Sequence, residues 1–203
     1  MPDGAAAPRS RRRGQALITA IHAAVLAELD ESGYAGMTME RVAERAGAGK
    51  ASLYRRWNSR AELVRDTAYH LMSDTEGAPD TGSLRGDLRE LLRRTVTLLT
   101  GPLGGALRAV LSEALADRTR AGEISSLSLG MGRRMMADVV ARAVSRGEID
   151  ARAITNARLD VGQALLRDRF LFREVTESDV DEIVDTVLVP LLGAPVGAPA
   201  HPR

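Results

Sequence analysis

The sequence predicts an all-α fold, and three observations carry that prediction. Ala, Leu, Arg, Glu and Asp dominate, while the chain holds only two Phe, three Tyr and one Trp, a balance that favours helices. Apolar residues recur at three- and four-residue spacing along most of the chain, the period of a helix buried on one face. No segment shows the alternation between turn residues that marks a strand. At 203 residues the chain is long enough for one domain, or for a small domain joined to a modest one.

Residues 1–14 are rich in Pro, Gly and Arg without apolar periodicity, and are expected to form a disordered arm. Leu17, Ile21, Val25 and Leu29 then make the stripe of a first helix, which Gly33 ends. Thr38 suits the N-cap of a short second helix through Met39, Val42, Ala43 and Ala46, and Gly47 stops it. A third short helix is expected over 50–57, with Leu53 and Trp57 one turn apart. Ser59 and Glu62 have the spacing of a capping box for a fourth helix, 63–73. The polar, glycine-containing stretch 74–83 reads as the break between two domains, 15–74 and 83–193. Beyond it helices are expected over 84–100, over 102–118 with Pro in the first turn, over 125–145, from a cap at Asp150 to Phe172, and from a cap at Thr176 to Pro190 and Gly193. Residues 194–203 read as a disordered tail.

Several function classes fall away. The chain has no cysteine, which removes disulfides, thiolate metal sites and a cysteine nucleophile. His22, His70 and His201 stand too far apart in the chain to suggest a metal site or a base and nucleophile, and no glycine-rich phosphate loop follows a strand, so neither an enzyme nor a cofactor is expected. The Gly130-Met131-Gly132 run reads as a flexible or closely packed helix segment. No stretch approaches the length of a membrane span and no leader precedes the first helix, which points to a cytoplasmic chain with no membrane partner.

Formal charge is +1, so attraction to nucleic acid has to be local. It is concentrated in one place. Between Glu44 and Glu62 stand Arg45, Lys50, Arg55, Arg56 and Arg60 with no acid among them. The segment holding them has the spacing of a helix-turn-helix: Ala43 is small where a second helix approaches, Gly47 sits at the turn, and Val42, Ala46, Leu53 and Trp57 supply the buried side. The opposite face of the third helix presents Lys50, Ala51, Ser52, Tyr54, Arg55 and Arg56, donors and small groups that suit a major groove. Arg9, Arg11, Arg12 and Arg13 of the arm suit phosphate or minor-groove contact. A solvated charged face and a soluble tail are the plain alternatives for these two features.

Residues 15–63, with Gly33-Tyr34 and Thr38 followed by VAERAGAGKASLYRRWNSRAELV, resemble the TetR/AcrR family of bacterial transcriptional regulators. The resemblance implies a three-helix N-terminal DNA-binding domain, a fourth linking helix, and a helical-bundle domain for ligand binding and dimerisation. It implies phosphate contacts by Thr38 and Tyr54, a reading surface at Lys50 and Arg55, and a cation at the start of the fourth helix in Arg60, with Ser52 of the outer helix face beside them as a further candidate DNA contact. Where many members carry Val before the third helix this chain has Ala48 and Gly49, which implies a looser turn. The expected partners are a double-stranded, palindromic DNA operator, a second copy of the chain and a small-molecule effector.

For the rest of the chain the resemblance gives architecture only. Leu165, Leu166, Phe170, Val180, Ile183, Val184, Val187 and Leu188 are the apolar residues expected in a four-helix dimer interface, although intrachain core explains the same stripe equally well. An effector cavity lined by Tyr69, Met72, Leu99, Met131, Met135 and Phe170 is expected to favour an apolar or weakly polar molecule; Met and Phe at this spacing also pack ordinary cores. The first function that follows is a homodimeric repressor released from its operator by an effector; the alternative is a ligand-independent DNA-binding regulator, or a helical binding protein that no longer reads DNA.

Overall fold

The computed structural model describes residues 7–74, 77–115 and 118–193, with side chains described for 14–72, 77–114, 119 and 132–193. Its described residues are helical or in turns, with no strand among them. They divide into two units, Met1–Leu71 with Gly101–Val110, and Met72–Thr100 with Leu111–Arg203.

In the first unit, α1 (Ala7–Gly36) bends at Gly33, whose φ of 63° lies in the left-handed region. The ending assigned to Gly33 thus appears as a kink, after which one further turn leads to Met37. α1 starts at Ala7, so residues 7–14 of the expected arm have helical backbone, while residues 1–6 of it, like the expected tail 194–203, lie outside the described residues. Ala and Arg are good helix formers, and Pro8 falls in the first turn, where its missing N–H costs nothing. α2 (Met39–Arg45) opens on Thr38, whose Oγ1 accepts from the Arg41 N–H at 3.2 Å. Gly47, φ 62°, turns the chain into α3 (Lys50–Arg56). α4 (Arg60–Asp74) opens on Ser59, whose hydroxyl accepts from the Glu62 N–H at 3.1 Å, while the Glu62 carboxylate reaches one residue beyond Ser59 to accept from the Asn58 N–H at 2.8 Å. Val25, Val42, Ala43, Leu53, Trp57 and Leu63 form its core, each at most 3% exposed.

α6 (Pro102–Leu115) corrects the reading of the domain boundary, because its first half belongs to this unit. Leu103, Ala106 and Val110 make its buried stripe. A boundary drawn at the polar stretch 74–83 is linear and cannot show a later helix returning to an earlier core.

In the second unit α5 (Leu84–Thr100) and α8 (Asn156–Phe172) both pack on α7 (Arg118–Ser145). α9 (Glu177–Glu182) continues through a wide π-helical segment, Ile183–Leu188, into α10 (Val189–Gly193). The wide turn makes room for Pro190, whose ring would otherwise meet the carbonyl four residues back; this is why Pro190 does not end the helix as expected. Asp150 caps only a short 3-10 turn, Ala151–Ala153, and α8 has its own cap at Thr155, because the backbone straightens between them. Gly132 and Gly162 are close-packing positions: a Cβ at Gly132 would meet Gln163 Cγ at 2.7 Å, and one at Gly162 would meet Leu188 Cδ1 at 2.9 Å.

Candidate nucleic-acid interface

The α2–α3 pair builds a surface by burying one side of each helix. Val42, Ala43 and Leu53 are at most 1% exposed, and the connecting turn is tied by the Ala48 N–H to the Ala43 carbonyl at 2.8 Å. α3 starts at Gly49 without a side-chain cap, in keeping with the looser approach implied by Ala48 and Gly49. With Leu53 inward, Lys50, Ala51, Tyr54 and Arg55 are exposed on the outer side and Ser52 is half-buried. Arg55 Nη2 lies 3.4 Å from Ser52 Oγ. Thr38 is exposed beside them, its hydroxyl capping α2.

The cation run of the sequence separates into two groups. Arg45 turns away from α3 and pairs with Glu28, 2.9 Å from its Nε, and with Glu31. Arg41 also reaches Glu28, at 2.8 Å. Glu28 is 2% exposed, so these contacts bind α2 to α1. The Arg45 hydrogen bond is the first cause that holds the Glu31 carboxyl below its ordinary value. Arg60 lies 4.3 Å over the Tyr34 ring and donates to the Tyr34 carbonyl at 3.1 Å, where it closes the end of α1. Lys50, Arg55 and Arg56 remain on or beside α3, with Arg56 5.4 Å over the Trp57 ring. Arg11, Arg12 and Arg13 have helical backbone, and their side chains lie outside the described residues.

One acid, missed because it precedes the cation run, faces these donors. Glu40 Oε1 accepts from the Tyr54 hydroxyl at 3.0 Å and lies 3.8 Å from Lys50 Nζ. Its own backbone N–H first, then Tyr54 and Lys50, hold its carboxyl below the usual range, and the same contact raises the Tyr54 phenol. Its place in the first turn of α2, two residues after the Thr38 cap, was the available signal.

Behind α3 lies a partly buried polar network. Trp57 Nε1 donates to Asp66 Oδ2 at 2.9 Å, and His22, 3% exposed, meets the Trp57 ring edge-on at 6.0 Å. The Thr67 hydroxyl donates to the Leu63 carbonyl at 2.8 Å, which leaves its oxygen to accept from His22 Nδ1 at 2.9 Å. His22 stacks on His70 at 4.3 Å. His22 and His70, read from the sequence as scattered, are thus brought together by α1 and α4. Among the described residues no group of three potential metal ligands forms, and His201 lies outside them.

The expected dimer residues need correction. Leu166, Val180, Ile183, Val184 and Leu188 are covered by their own chain, all at 0% exposure, and Phe170 is at 3%. The 3.6-residue period marks a covered face but not the helix that covers it, and here the cover is intrachain. Leu165 and Val187 stay half-buried. Of the expected effector-lining residues, Tyr69 belongs to the first unit and Met72, Leu99, Met131, Met135 and Phe170 to the second. Leu99 and Met135 are half-buried, Phe170 is core, Tyr69 is 43% exposed, and the Met131 side chain lies outside the described residues.

No helix among the described residues is long and apolar enough to cross a membrane. Residues 21–67 match the bacterial regulatory proteins of the tetR family, and residues 78–187 match the tetracyclin repressor-like C-terminal domain. The chain is 33% identical over 184 residues to the HTH-type transcriptional regulator Rv1556 of Mycobacterium tuberculosis, covering 88% of this chain and 89% of that protein. It is 30% identical over 190 residues to the DNA-binding transcriptional repressor TetR of Mycobacteroides abscessus, covering 89% and 96%. Among solved structures, the TetR-family regulator SCO0332 superposes with a TM-score of 0.71 at 28% identity, covering 86% of this chain and 96% of that one. With both parts matched, the chain belongs to the TetR family of helix-turn-helix transcriptional regulators, a family of DNA-binding proteins, generally repressors, and not of enzymes.

Proposed function

We propose that this protein is a homodimeric repressor whose two α3 helices read the half-sites of a pseudo-palindromic operator, and which a small, largely apolar effector releases. The observation that carries the DNA reading is the outer face of α3, where Lys50, Tyr54 and Arg55 are exposed on a helix anchored by Leu53 and Trp57. Donors fixed on a short rigid helix suit base edges and phosphates, with Thr38 and Ser52 at its margin. Arg60 serves first as the clamp on Tyr34, and the helical Arg11, Arg12 and Arg13 are the proposed additional phosphate contacts.

The dimer surface is proposed on α8, where Val161, Ala164, Leu165 and Leu171 are half-buried and Phe172 is 80% exposed. These residues follow helical spacing on a face that the chain leaves partly open, and two-fold association through it would give two-fold operator symmetry. The apolar character of the effector is supported by the pairing of cations on α7 and α8, since Arg133 engages Asp160 at 2.9 Å and Arg169 engages Asp179 at 2.8 Å.

Footprinting on the DNA flanking the gene tests the operator reading, with a two-fold symmetric protected site expected. A single asymmetric half-site contradicts it. Sedimentation of Phe172→Glu is expected to shift the protein toward monomer, and an unshifted dimer places the interface elsewhere.

A further inference from the structure

We propose that Glu40 is a built-in competitor of the DNA backbone, a carboxylate that occupies the Tyr54 hydroxyl and the Lys50 ammonium group until a phosphate displaces it. The inference rests on the reading of α3 as the DNA-contacting helix.

The geometry is specific. One oxygen, Glu40 Oε1, is 3.0 Å from the Tyr54 hydroxyl and 3.8 Å from Lys50 Nζ. A phosphate oxygen accepts hydrogen bonds from the same donors in the same way, and a carboxylate is its nearest side-chain analogue in charge and geometry. The helix does not require this contact for its own capping. Thr38 already accepts the Arg41 N–H, and an acid in the first turn gains its dipole interaction whether or not it touches α3. The contact is also open to water, with the side chains of Lys50 and Glu40 66% and 45% exposed. An exposed pair of this kind adds little to folding, but it stands where DNA would arrive.

Displacement has two consequences. Releasing Tyr54 and Lys50 costs the free-protein contact, and the freed carboxylate then lies close to a polyanion. Both lower affinity for any duplex, whatever its sequence, because phosphate contacts carry no sequence information. In a repressor this restrains nonspecific occupancy while leaving the Arg55 side of α3 to read bases.

The test uses the full-length protein and a labelled duplex of mixed sequence, with Kd measured across a salt series. Glu40→Gln is expected to bind about three- to tenfold more tightly than wild type, since it removes an exposed ion pair and one repulsive charge. Its plot of log affinity against log salt is expected to steepen by up to about one unit, because one more cation exchanges directly with phosphate. The gain is expected to shrink in a Tyr54→Phe background, where the hydroxyl at stake is absent. Equal affinity and slope for wild type and Glu40→Gln overturn the proposal, as does weaker binding by a variant with an unchanged melting temperature, which would make Glu40 a reader of base amino groups. If neither protein binds the duplex at low salt, the DNA reading itself fails and the proposal falls with it.

Discussion

Arginine does different work in the two units. In the C-terminal unit several arginines join one helix to another. Arg89 and Arg93 of α5 reach Asp181 and Glu177 of α9 at 2.7 and 2.8 Å. Arg146 meets the buried Asp87 at 2.8 Å. Burial alone would push the Asp87 carboxyl up, but the Thr81 N–H and hydroxyl and the Arg146 guanidinium more than offset it, leaving it below its ordinary value. Arg169 and Arg173 converge on Asp179. In the N-terminal unit Arg41 and Arg45 behave in the same way toward Glu28, whereas Arg55 on α3 bonds a hydroxyl rather than an acid. A count of charges along the chain therefore marks a binding surface poorly. The acids within reach of each guanidinium mark it well.

The largest expected effects break the anchored side of this comparison. Replacing Arg41 and Arg45 together by Ala leaves the Glu28 carboxylate buried without a cation and is expected to cost ~3–5 kcal/mol. Denaturant melts measure this, and a loss below about 1 kcal/mol would mean that Glu28 rehydrates easily. Trp57→Ala is expected to cost a similar ~3–5 kcal/mol by emptying a core site and unpairing Asp66; an unchanged melting temperature would remove Trp57 from the core.

Asp179 sharpens the comparison at intermediate size. The Arg173 hydrogen bond, then the Thr176 N–H and hydroxyl and the Arg169 charge, overcome burial and lower its carboxyl to about 2. A carboxyl depressed in the folded state stabilises fully above its unfolded value near 4 and loses that contribution as pH falls through about 2. Asp179→Asn is therefore expected to cost ~2 kcal/mol at neutral pH, with the gap to wild type closing as the two are melted at successively lower pH down to about 2. A gap independent of pH would assign the loss to packing. Arg93→Ala, which breaks one exposed pair, is expected to shift stability by less than ~1 kcal/mol, and a larger shift would show that the α5–α9 pairs act as a network.

Much of the fold was legible because local chemistry decides it. Thr38, Gly47, Ser59 and Thr176 each end or begin a helix for reasons contained within a few residues, and the stripe of α5 sets its span. What escaped the sequence depends on which element covers which. The periodicity at Val180, Ile183, Val184 and Leu188 showed a covered face without showing that the cover is intrachain. The His22–His70 stack joins residues far apart in sequence, and the return of α6 to the first unit is equally nonlocal. At the interface, the outer face of α3 followed from the helical period alone. The diversion of Arg45 and Arg60 into structural contacts, and the turn of Glu40 toward Tyr54, required three dimensions.

On this reading the exposed donors of α3 bind DNA, while Arg41 and Arg45 of α2, paired with Glu28, only fold the protein. The most direct measurement pairs affinity for the flanking DNA with melting temperature for Arg55→Ala. A loss of binding of about 1–3 kcal/mol is expected, with a melting temperature unchanged from wild type. Full binding by Arg55→Ala, or a binding loss matched by a fall in stability, would contradict it.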